Sequence, residues 1–246
     1  MTTKVVPGML IAVPSAEDVA REAAARLAKS IRDAIKSRGK ATIALSGGDT
    51  PKQTYQRLAD EPDVDWSVVE IFWVDERAVP PNDDRSNYRW AKECLIDRAK
   101  IPESHVYRMR ADEPDLENAA REYEQVLRTH VPVGQGGVPS LDVIVLGVGD
   151  DGHTASLFPG QPTVDIHDRY VVAVGKTDGR EMRLTITAPV IEQARTAFIL
   201  AVGAKKTNAL ERVWAVSGSL RDTPARVIRN VRGSIHWVID KAAGGM

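Results

Sequence analysis

The chain has 246 residues, of which 43% are hydrophobic and 27% are charged, and its formal net charge is −1. This composition suits one large α/β domain, or at most two small ones, and gives no reason to expect nucleic acid or an anionic membrane as a partner. The single cysteine, Cys94, excludes an internal disulfide and a multi-cysteine metal site. Because the sequence has no apolar run of membrane-spanning length and no signal-peptide layout, a cytoplasmic enzyme or binding protein is expected.

Apolar periodicity and turn residues predict strands and helices that alternate along the chain. The first helix is the clearest, because Ser15 and Asp18 form a capping pair and apolar residues then recur every fourth position until Gly39. The predicted strands are 9–13, 41–45, 68–74, 141–146, 170–174, 183–187, 196–202 and 235–239. The other predicted helices open at Pro51, with Thr50 as the cap, and cover 86–97, 115–130 and 204–216.

This alternation indicates a Rossmann-like α/β fold, with a mostly parallel doubly wound sheet and helices on both faces. The clearest linker-like segment, Gly134 to Pro139, is only six residues long, so it is interpreted as a loop. We therefore expect a single domain over residues 1–246.

The central predicted strand, 141–146, is an almost purely apolar run that stops at Gly147 and is followed by Asp150, Asp151 and His153. Because ligands of open α/β sheets bind at the carboxyl ends of the strands, these side chains are candidates for a functional site. An imidazole exchanges protons near neutral pH, so His153 is predicted to carry the chemistry, although a structural histidine bonded to a backbone carbonyl is the alternative. The glycines match the letters G-x-G-x-x-G, but two carboxylates would face a pyrophosphate there, which disfavours dinucleotide binding.

Three further strand ends carry polar groups. The stretch Ser46-Gly47-Gly48-Asp49-Thr50-Pro51 combines glycines, hydroxyls and a helix N-terminus, which suits a phosphate, although a tight capped turn is the alternative. Asp75-Glu76-Arg77 follows the next strand, and three charges there need either internal ion pairs or a ligand. Lys205 and Lys206 start a helix, where a cation opposes the helix dipole, which favours an anionic partner, although a solvated helix face is the alternative. Arg183 opens a strand and is a second basic candidate.

Four segments, in the same order, resemble the 6-phosphogluconolactonase family, within the larger group that includes glucosamine-6-phosphate deaminase. They are Ser46-Gly47-Gly48-x-Thr50-Pro51, Asp75-Glu76-Arg77, Ser86-Asn87-Tyr88 and Leu146-Gly147-x-Gly149-x-Asp151-Gly152-His153-Thr154-Ala155-Ser156-Leu157-Phe158-Pro159. The resemblance spans roughly residues 41 to 240. It implies a single α/β domain, hydrolysis of the sugar-phosphate lactone 6-phospho-D-glucono-1,5-lactone, and no organic cofactor.

The resemblance also implies roles for individual residues. The matches to phosphate-handling positions are Ser46, Gly47, Gly48, Thr50 and Lys206, and those to substrate-contacting arginines are Arg77 and Arg183. His153 matches the general base, and Asp151 matches the neighbouring acid. From the residues alone, either Asp75 or Asp151 could orient His153, and either could instead pair with Arg77. These alternatives stay open. The other histidines show no metal-ligand spacing with His153, so no metal site is expected.

One segment departs from the family pattern, because Gly179-Arg180-Glu181-Met182 stands where lactonases usually have prolines before the Arg183 equivalent. The deaminase pattern differs at two other positions: it has a tyrosine where this chain has Arg77 and a glutamate where it has Phe158. These two differences favour a lactone hydrolase. A non-catalytic sugar-phosphate sensor is disfavoured because the chain has no basic helix-turn-helix pattern. The sequence carries no signal for an oligomeric state.

Overall fold

The computed structural model describes residues 3–176 and 179–246. Its strands are β1 (Met9–Val13), β2 (Ala41–Leu45), β3 (Val69–Trp73), β4 (Asp75–Arg77), β5 (Val143–Gly147), β6 (Val171–Val174), β7 (Arg183–Ile186), β8 (Thr196–Ala201) and β9 (Ser234–Asp240). Its α-helices are α1 (Ala16–Arg38), α2 (Asp49–Ala59), α3 (Asn87–Ala91), α4 (Leu116–His130), α5 (Ala188–Glu192), α6 (Thr207–Trp214) and α7 (Lys241–Gly244).

Six strands form one sheet in the order β1-β9-β8-β5-β2-β3, and every neighbouring pair in it is parallel. β2 and β3 are buried along their whole length, as is β5 up to Gly147, which explains their continuous apolar sequences. The α/β architecture with a mostly parallel sheet is therefore confirmed. Because β8, β5, β2 and β3 are parallel neighbours, the residues that follow them meet at one edge of the sheet.

Helix α1 shows how local sequence determines an element of this fold. The Ser15 side chain accepts a hydrogen bond from the backbone N–H of Asp18, and Gly39 ends the helix in the left-handed conformation. The predicted apolar stripe is buried against β9, β2 and β8, with Leu27 and Ile31 at 1% and 0% exposure. The predicted start, end and buried face are confirmed.

The structure corrects the prediction of a single sheet. The segments predicted as strands at 170–174 and 183–187 form β6 and β7, which belong to a separate antiparallel sheet in the order β4-β7-β6. Its third strand, β4, is the Asp75-Glu76-Arg77 stretch, which was predicted only as a charged strand end. A run of three charges is unusual in a strand, and here it is stabilised by partners that lie far away in sequence.

Three helix predictions are also corrected. Helix α2 begins at Asp49 with Gly48 as its cap, two residues before Pro51, so Thr50 lies inside the helix. The predicted helix 86–97 is α-helical only over Asn87–Ala91 and continues as a wider π-helical turn over Lys92–Ile96. The predicted helix 204–216 consists of a 3₁₀ turn at Ala204–Lys206 followed by α6. In residues 3–176 and 179–246, no helix has the length and apolar character needed to span a membrane.

Candidate active site

A cavity of about 490 Å³ lies at the carboxyl ends of β2, β5 and β8. It brings together the polar segments that follow these strands and three residues of the smaller sheet. The lining residues are Ser46, Gly47, Gly48, Asp49, Thr50, Pro51, Asp75, Arg77, Gly147, Val148, Gly149, His153, Ala155, Arg183, Leu200, Val202 and Lys206. Every residue predicted to act on substrate lines this cavity except Asp151, which contacts His153 directly.

The turn between β2 and α2 is held rigidly at the rim of the cavity. The Tyr55 hydroxyl accepts from the backbone N–H of Ser46 at 3.0 Å and donates to its carbonyl oxygen at 2.9 Å. A side chain on Gly47 would clash with Asn87, because a Cβ there would lie 1.8 Å from Oδ1. Gly48 caps α2 with φ of 110°, and no side chain of the described residues caps the helix, so the N–H groups of its first turn are available to an anion.

His153 is fixed by Asp151 through two hydrogen bonds. Oδ1 of Asp151 lies 2.6 Å from Nδ1 of the imidazole and accepts from the backbone N–H of His153 at 3.0 Å. The turn is closed by a hydrogen bond from Gly149 N–H to the His153 carbonyl at 2.9 Å. A Cβ on Gly149 would lie 2.1 Å from Nδ1, so glycine is needed for the imidazole to lie against the backbone. Within the described residues, no protein group forms a hydrogen bond with Nε2, so this nitrogen is available to a ligand in the cavity.

Asp151 is held as a carboxylate. Burial opposes its ionisation, but the hydrogen bonds from the side chain and backbone of His153, together with Arg180, hold its pKa well below the ordinary range. Nη2 of Arg180 lies 2.9 Å from Oδ2, the oxygen that His153 does not use. The contacts therefore identify Asp151, of the two open alternatives, as the carboxylate beside His153.

Asp75 belongs to a different network. Its Oδ2 accepts from Ser156 Oγ at 2.6 Å and lies 3.4 Å from Nη1 of Arg183, while Asn87 Nδ2 donates to Oδ1 at 3.2 Å. In the part of the chain that the structure describes, Asp75 makes no contact with His153, and neither aspartate pairs with Arg77. Burial lowers the pKa of Arg183, and the charge of Asp75 opposes this shift. Asp75 therefore orients Arg183 at the cavity wall.

Glu76, the middle residue of β4, points away from this network and is 3% exposed. Its carboxylate accepts from the backbone N–H groups of Asn87 and Tyr88 at 2.8 and 2.7 Å and from Ser86 Oγ at 3.0 Å. Burial raises the pKa of Glu76, although these N–H donors oppose the rise. Its contacts tie the N-terminus of α3 to β4 and so position Asn87 against Asp75 and Gly47.

Several polar atoms at the cavity are buried without a protein hydrogen-bond partner among the described residues. They are Ser46 Oγ, Arg77 Nε and Arg183 Nε. Nη1 of Arg77 donates to the carbonyl of Arg85 at 2.5 Å, so only part of this guanidinium is used by the protein. Buried polar groups are normally hydrogen-bonded, so these donors are suited to contact an oxygen-rich ligand.

Lys206 also lines the cavity, and its Nζ forms an ion pair of 2.6 Å with Oδ1 of Asp150. Its neighbour Lys205 is exposed and does not line the cavity. The preference for Lys206 over Lys205 as an anion-binding residue therefore agrees with the geometry. Asp150, which was not assigned a role from sequence, is the carboxylate nearest to this ammonium group.

Sequence reasoning did not identify Ser156, Asn87 or Arg180 as parts of the site. Ser156 and Asn87 lie inside the motifs that carry the family resemblance, so their presence there was a signal, but the pattern does not say which carboxylate they bind. Arg180 was noticed only as a departure from the prolines expected before Arg183. Among residues 3–176 and 179–246, no group of three or more His, Cys, Asp or Glu side chains is arranged to hold a metal ion.

Taken together, the parallel sheet and the cavity at its carboxyl edge define an α/β protein whose cavity is lined by basic and hydroxyl groups beside a carboxylate-paired histidine. The family model described as glucosamine-6-phosphate isomerases/6-phosphogluconolactonase matches residues 14–237. The chain therefore belongs to the glucosamine-6-phosphate isomerase/6-phosphogluconolactonase family.

Individual relatives agree with this assignment. The chain is 42% identical to a 6-phosphogluconolactonase of Synechocystis over 214 residues, covering 87% of this chain and 88% of that protein. It is 38% identical to a 6-phosphogluconolactonase of Streptomyces coelicolor over 236 residues, which cover 92% of this chain and 90% of that protein. The solved structure of 6-phosphogluconolactonase from Trypanosoma brucei shares a TM-score of 0.85 at 27% identity, covering 100% of this chain and 99% of that one.

Proposed function

We propose that the protein is a 6-phosphogluconolactonase, which hydrolyses 6-phospho-D-glucono-1,5-lactone to 6-phospho-D-gluconate in the oxidative pentose phosphate pathway. The relatives named above support the substrate, and the observation that carries the chemistry is the Asp151-paired imidazole of His153 at the cavity wall. We further propose that residues 1–246 act as one domain. The cytoplasmic location stays a prediction from the sequence.

The substrate phosphate docks on the turn from Ser46 to Thr50. This part of the cavity is lined by the start of α2, the Ser46 hydroxyl and the ammonium of Lys206. Among the residues that the structure describes, neither the N–H groups of that first turn nor the Ser46 hydroxyl has a side-chain partner. Phosphate bound at a helix N-terminus gains both the N–H donors and the favourable end of the helix dipole. Arg77 and Arg183 are assigned to the sugar oxygens or to the phosphate, because each has a buried Nε without a protein partner among the described residues.

The chemical step in this proposal is general-base hydrolysis. Nδ1 of His153 faces Asp151, so Nε2 takes a proton from a water molecule, and the resulting hydroxide attacks C1 of the lactone. A cationic side chain or a backbone N–H at the cavity stabilises the oxyanion. The imidazolium then protonates the ring oxygen as the C1–O bond breaks, which opens the lactone to the acid and returns His153 to its neutral form.

Asp151 and Asp75 have separate roles in the proposal. Asp151 orients His153 and stabilises the imidazolium that forms, as the acid does in other carboxylate–histidine pairs. Asp75 is assigned to the site through Arg183 and Ser156, both of which it contacts, and it acts by holding Arg183 at the cavity. This replaces the expectation that either aspartate could serve His153.

The amino-sugar isomerisation known in the same family is the second candidate. A solved glucosamine-6-phosphate deaminase has a TM-score of 0.79 at 20% identity, which shows a shared fold alone. Phe158 argues against that activity here, because its ring packs 5.0 Å from the His153 ring where the deaminase pattern has a glutamate. An apolar ring cannot relay the proton that ring opening of an amino sugar requires.

One comparison separates the two activities. Acid release from freshly prepared 6-phosphogluconolactone is measured by continuous titration, and ammonia release from glucosamine 6-phosphate is measured in parallel. The lactone hydrolyses spontaneously, so the enzyme rate is the excess over a buffer blank. We expect acceleration with the lactone and no ammonia, whereas ammonia release without lactone acceleration would refute the proposal.

A further inference from the structure

Arg180 stands in the segment that departs from the expected prolines, directly before β7. Its Nη2 lies 2.9 Å from Oδ2 of Asp151, and its guanidinium lies 4.6 Å from the centre of the Phe158 ring. Phe158 in turn packs against His153 at 5.0 Å. One side chain therefore contacts both the carboxylate and the aromatic ring that pack against the imidazole.

The two oxygens of Asp151 have different partners. Oδ1 binds Nδ1 and the backbone N–H of His153, while Oδ2 binds Arg180. Among the described residues, Arg180 is the protein partner of Oδ2. Without it, the described residues oppose rotation of the carboxylate about its Cβ–Cγ bond only through the two His153 contacts to Oδ1. Rotation moves Oδ1 off Nδ1. The neighbouring Glu181 does not compete for Arg180, because its carboxylate pairs with Arg85 at 2.9 Å.

We propose that Arg180 is a positioning residue, which clamps Oδ2 of Asp151 so that Oδ1 holds His153 with a proton on Nδ1 and a free lone pair on Nε2. This inference deepens the proposed function and rests on it for its kinetic consequences. Arg180 contacts no reacting atom in this account. It acts through Asp151, and its stacking on Phe158 restrains the guanidinium.

Other charges near His153 do not offer the same contact. Arg183, on β7, lies 5.6 Å from the Phe158 ring but pairs with Asp75. Lys206, which also lines the cavity, pairs with Asp150. Arg77, on β4, donates to the Arg85 carbonyl. Arg180 is therefore the cation whose loss should alter Asp151 without removing a partner of these other groups.

The test compares Arg180→Gln, Arg180→Lys and the wild type in two independent readouts. The first readout is kcat and KM for lactone hydrolysis above the blank. The second is the ring ¹⁵N spectrum of His153 without substrate, which reports the tautomer, with His153→Ala assigning its signals. Lys36→Gln is the charge-matched control, because Lys36 is exposed in the last turn of α1, at the opposite edge of the sheet.

For Arg180→Gln we expect kcat to fall about three- to tenfold, the effect of losing one partly exposed charge-assisted hydrogen bond, with KM nearly unchanged. We expect the Nδ1–H tautomer to lose population in the same variant. Arg180→Lys should keep most of the wild-type kcat and of the Nδ1–H tautomer, since an ammonium group keeps the positive charge. Lys36→Gln should change neither kcat nor the tautomer. Thermal unfolding of each variant verifies that the fold is intact.

Three results would overturn the inference. An unchanged kcat and tautomer in Arg180→Gln would show that Asp151 needs no clamp. A raised KM with unchanged kcat would make Arg180 a substrate contact. A fall in kcat with an unchanged tautomer of His153 would show that Arg180 does not act through the Asp151–His153 pair. If the wild type itself does not accelerate lactone hydrolysis, the proposed function fails, whereas the substrate-free spectra still decide the role of Arg180.

Discussion

Substituting Gly149 by alanine is predicted to impair catalysis by displacing the paired side chains of His153 and Asp151. A Cβ at this position would lie 2.1 Å from Nδ1 of His153 and 2.6 Å from Oδ1 of Asp151. Heavy atoms in contact are ordinarily about 3.5 Å apart, so the imidazole has to move by about 1 Å or more. Gly149 does not adopt a positive φ, so alanine causes no backbone strain there.

A displacement of about 1 Å at a catalytic group costs about 10²-fold in rate. We therefore expect kcat of Gly149→Ala to fall by about that factor, equivalent to about 2.7 kcal/mol in the activation barrier. KM should change little, because the phosphate site at Ser46–Thr50 and Lys206 is not altered.

The assay is lactone hydrolysis above the spontaneous rate, with thermal unfolding to verify the fold. Gly175→Ala is the matched control, because a Cβ at Gly175 meets no atom of the described residues within 4 Å. A folded Gly149→Ala enzyme with wild-type kcat would refute the reasoning, since it would show that the position of the imidazole does not limit the rate.

Three further predictions follow from the charges in the structure. Lys206→Ala should raise KM about 10- to 100-fold, because the substrate phosphate loses a charge-assisted hydrogen bond. Substitution of its exposed neighbour, Lys205→Ala, should leave KM unchanged, and equal effects of the two substitutions would contradict the phosphate assignment. Asp150→Asn frees Lys206 from its 2.6 Å ion pair and should tighten inhibition by inorganic phosphate about two- to fivefold, whereas weaker inhibition would mean that Asp150 supports the site. Burial opposes ionisation of Glu124, but the Tyr170 N–H and two arginines lower its pKa in the folded protein. The stability that this carboxylate contributes is therefore present above its pKa in the unfolded chain, about 4.3, and is lost as the pH falls through its lower pKa in the folded protein. Glu124→Gln should therefore lower the free energy of unfolding by about 1–2 kcal/mol at neutral pH, with a gap that narrows in acid; a gap independent of pH would contradict this.

The parts of the fold that depend on local sequence could be predicted. Capping at Ser15 and Gly39, apolar periodicity and the buried strands all reflect interactions within a few residues. The convergence of strand ends could also be predicted, because parallel neighbours place their carboxyl ends together. His153, Lys206 and the Ser46–Thr50 turn line one cavity as expected.

Long-range partners could not be predicted. Asp75-Glu76-Arg77 has the composition of a loop, and it forms a strand because Arg183, Ser156 and the N-terminus of α3 satisfy its carboxylates. The same limit applied to His153, since Asp75 and Asp151 were equivalent candidates until their distances were known. Arg180 shows the limit most clearly, because its partner lies 29 residues away and nothing in its local sequence indicates it.

The central claim is that His153 activates water for attack on a sugar-phosphate lactone. The most direct measurement compares kcat and KM of His153→Ala with those of the wild type on freshly prepared 6-phosphogluconolactone, each corrected for the blank. We predict that the wild type accelerates hydrolysis and that kcat of the variant falls by about 10²–10⁴-fold with little change in KM. A folded variant with unaltered kcat would contradict the claim and remove His153 from the mechanism.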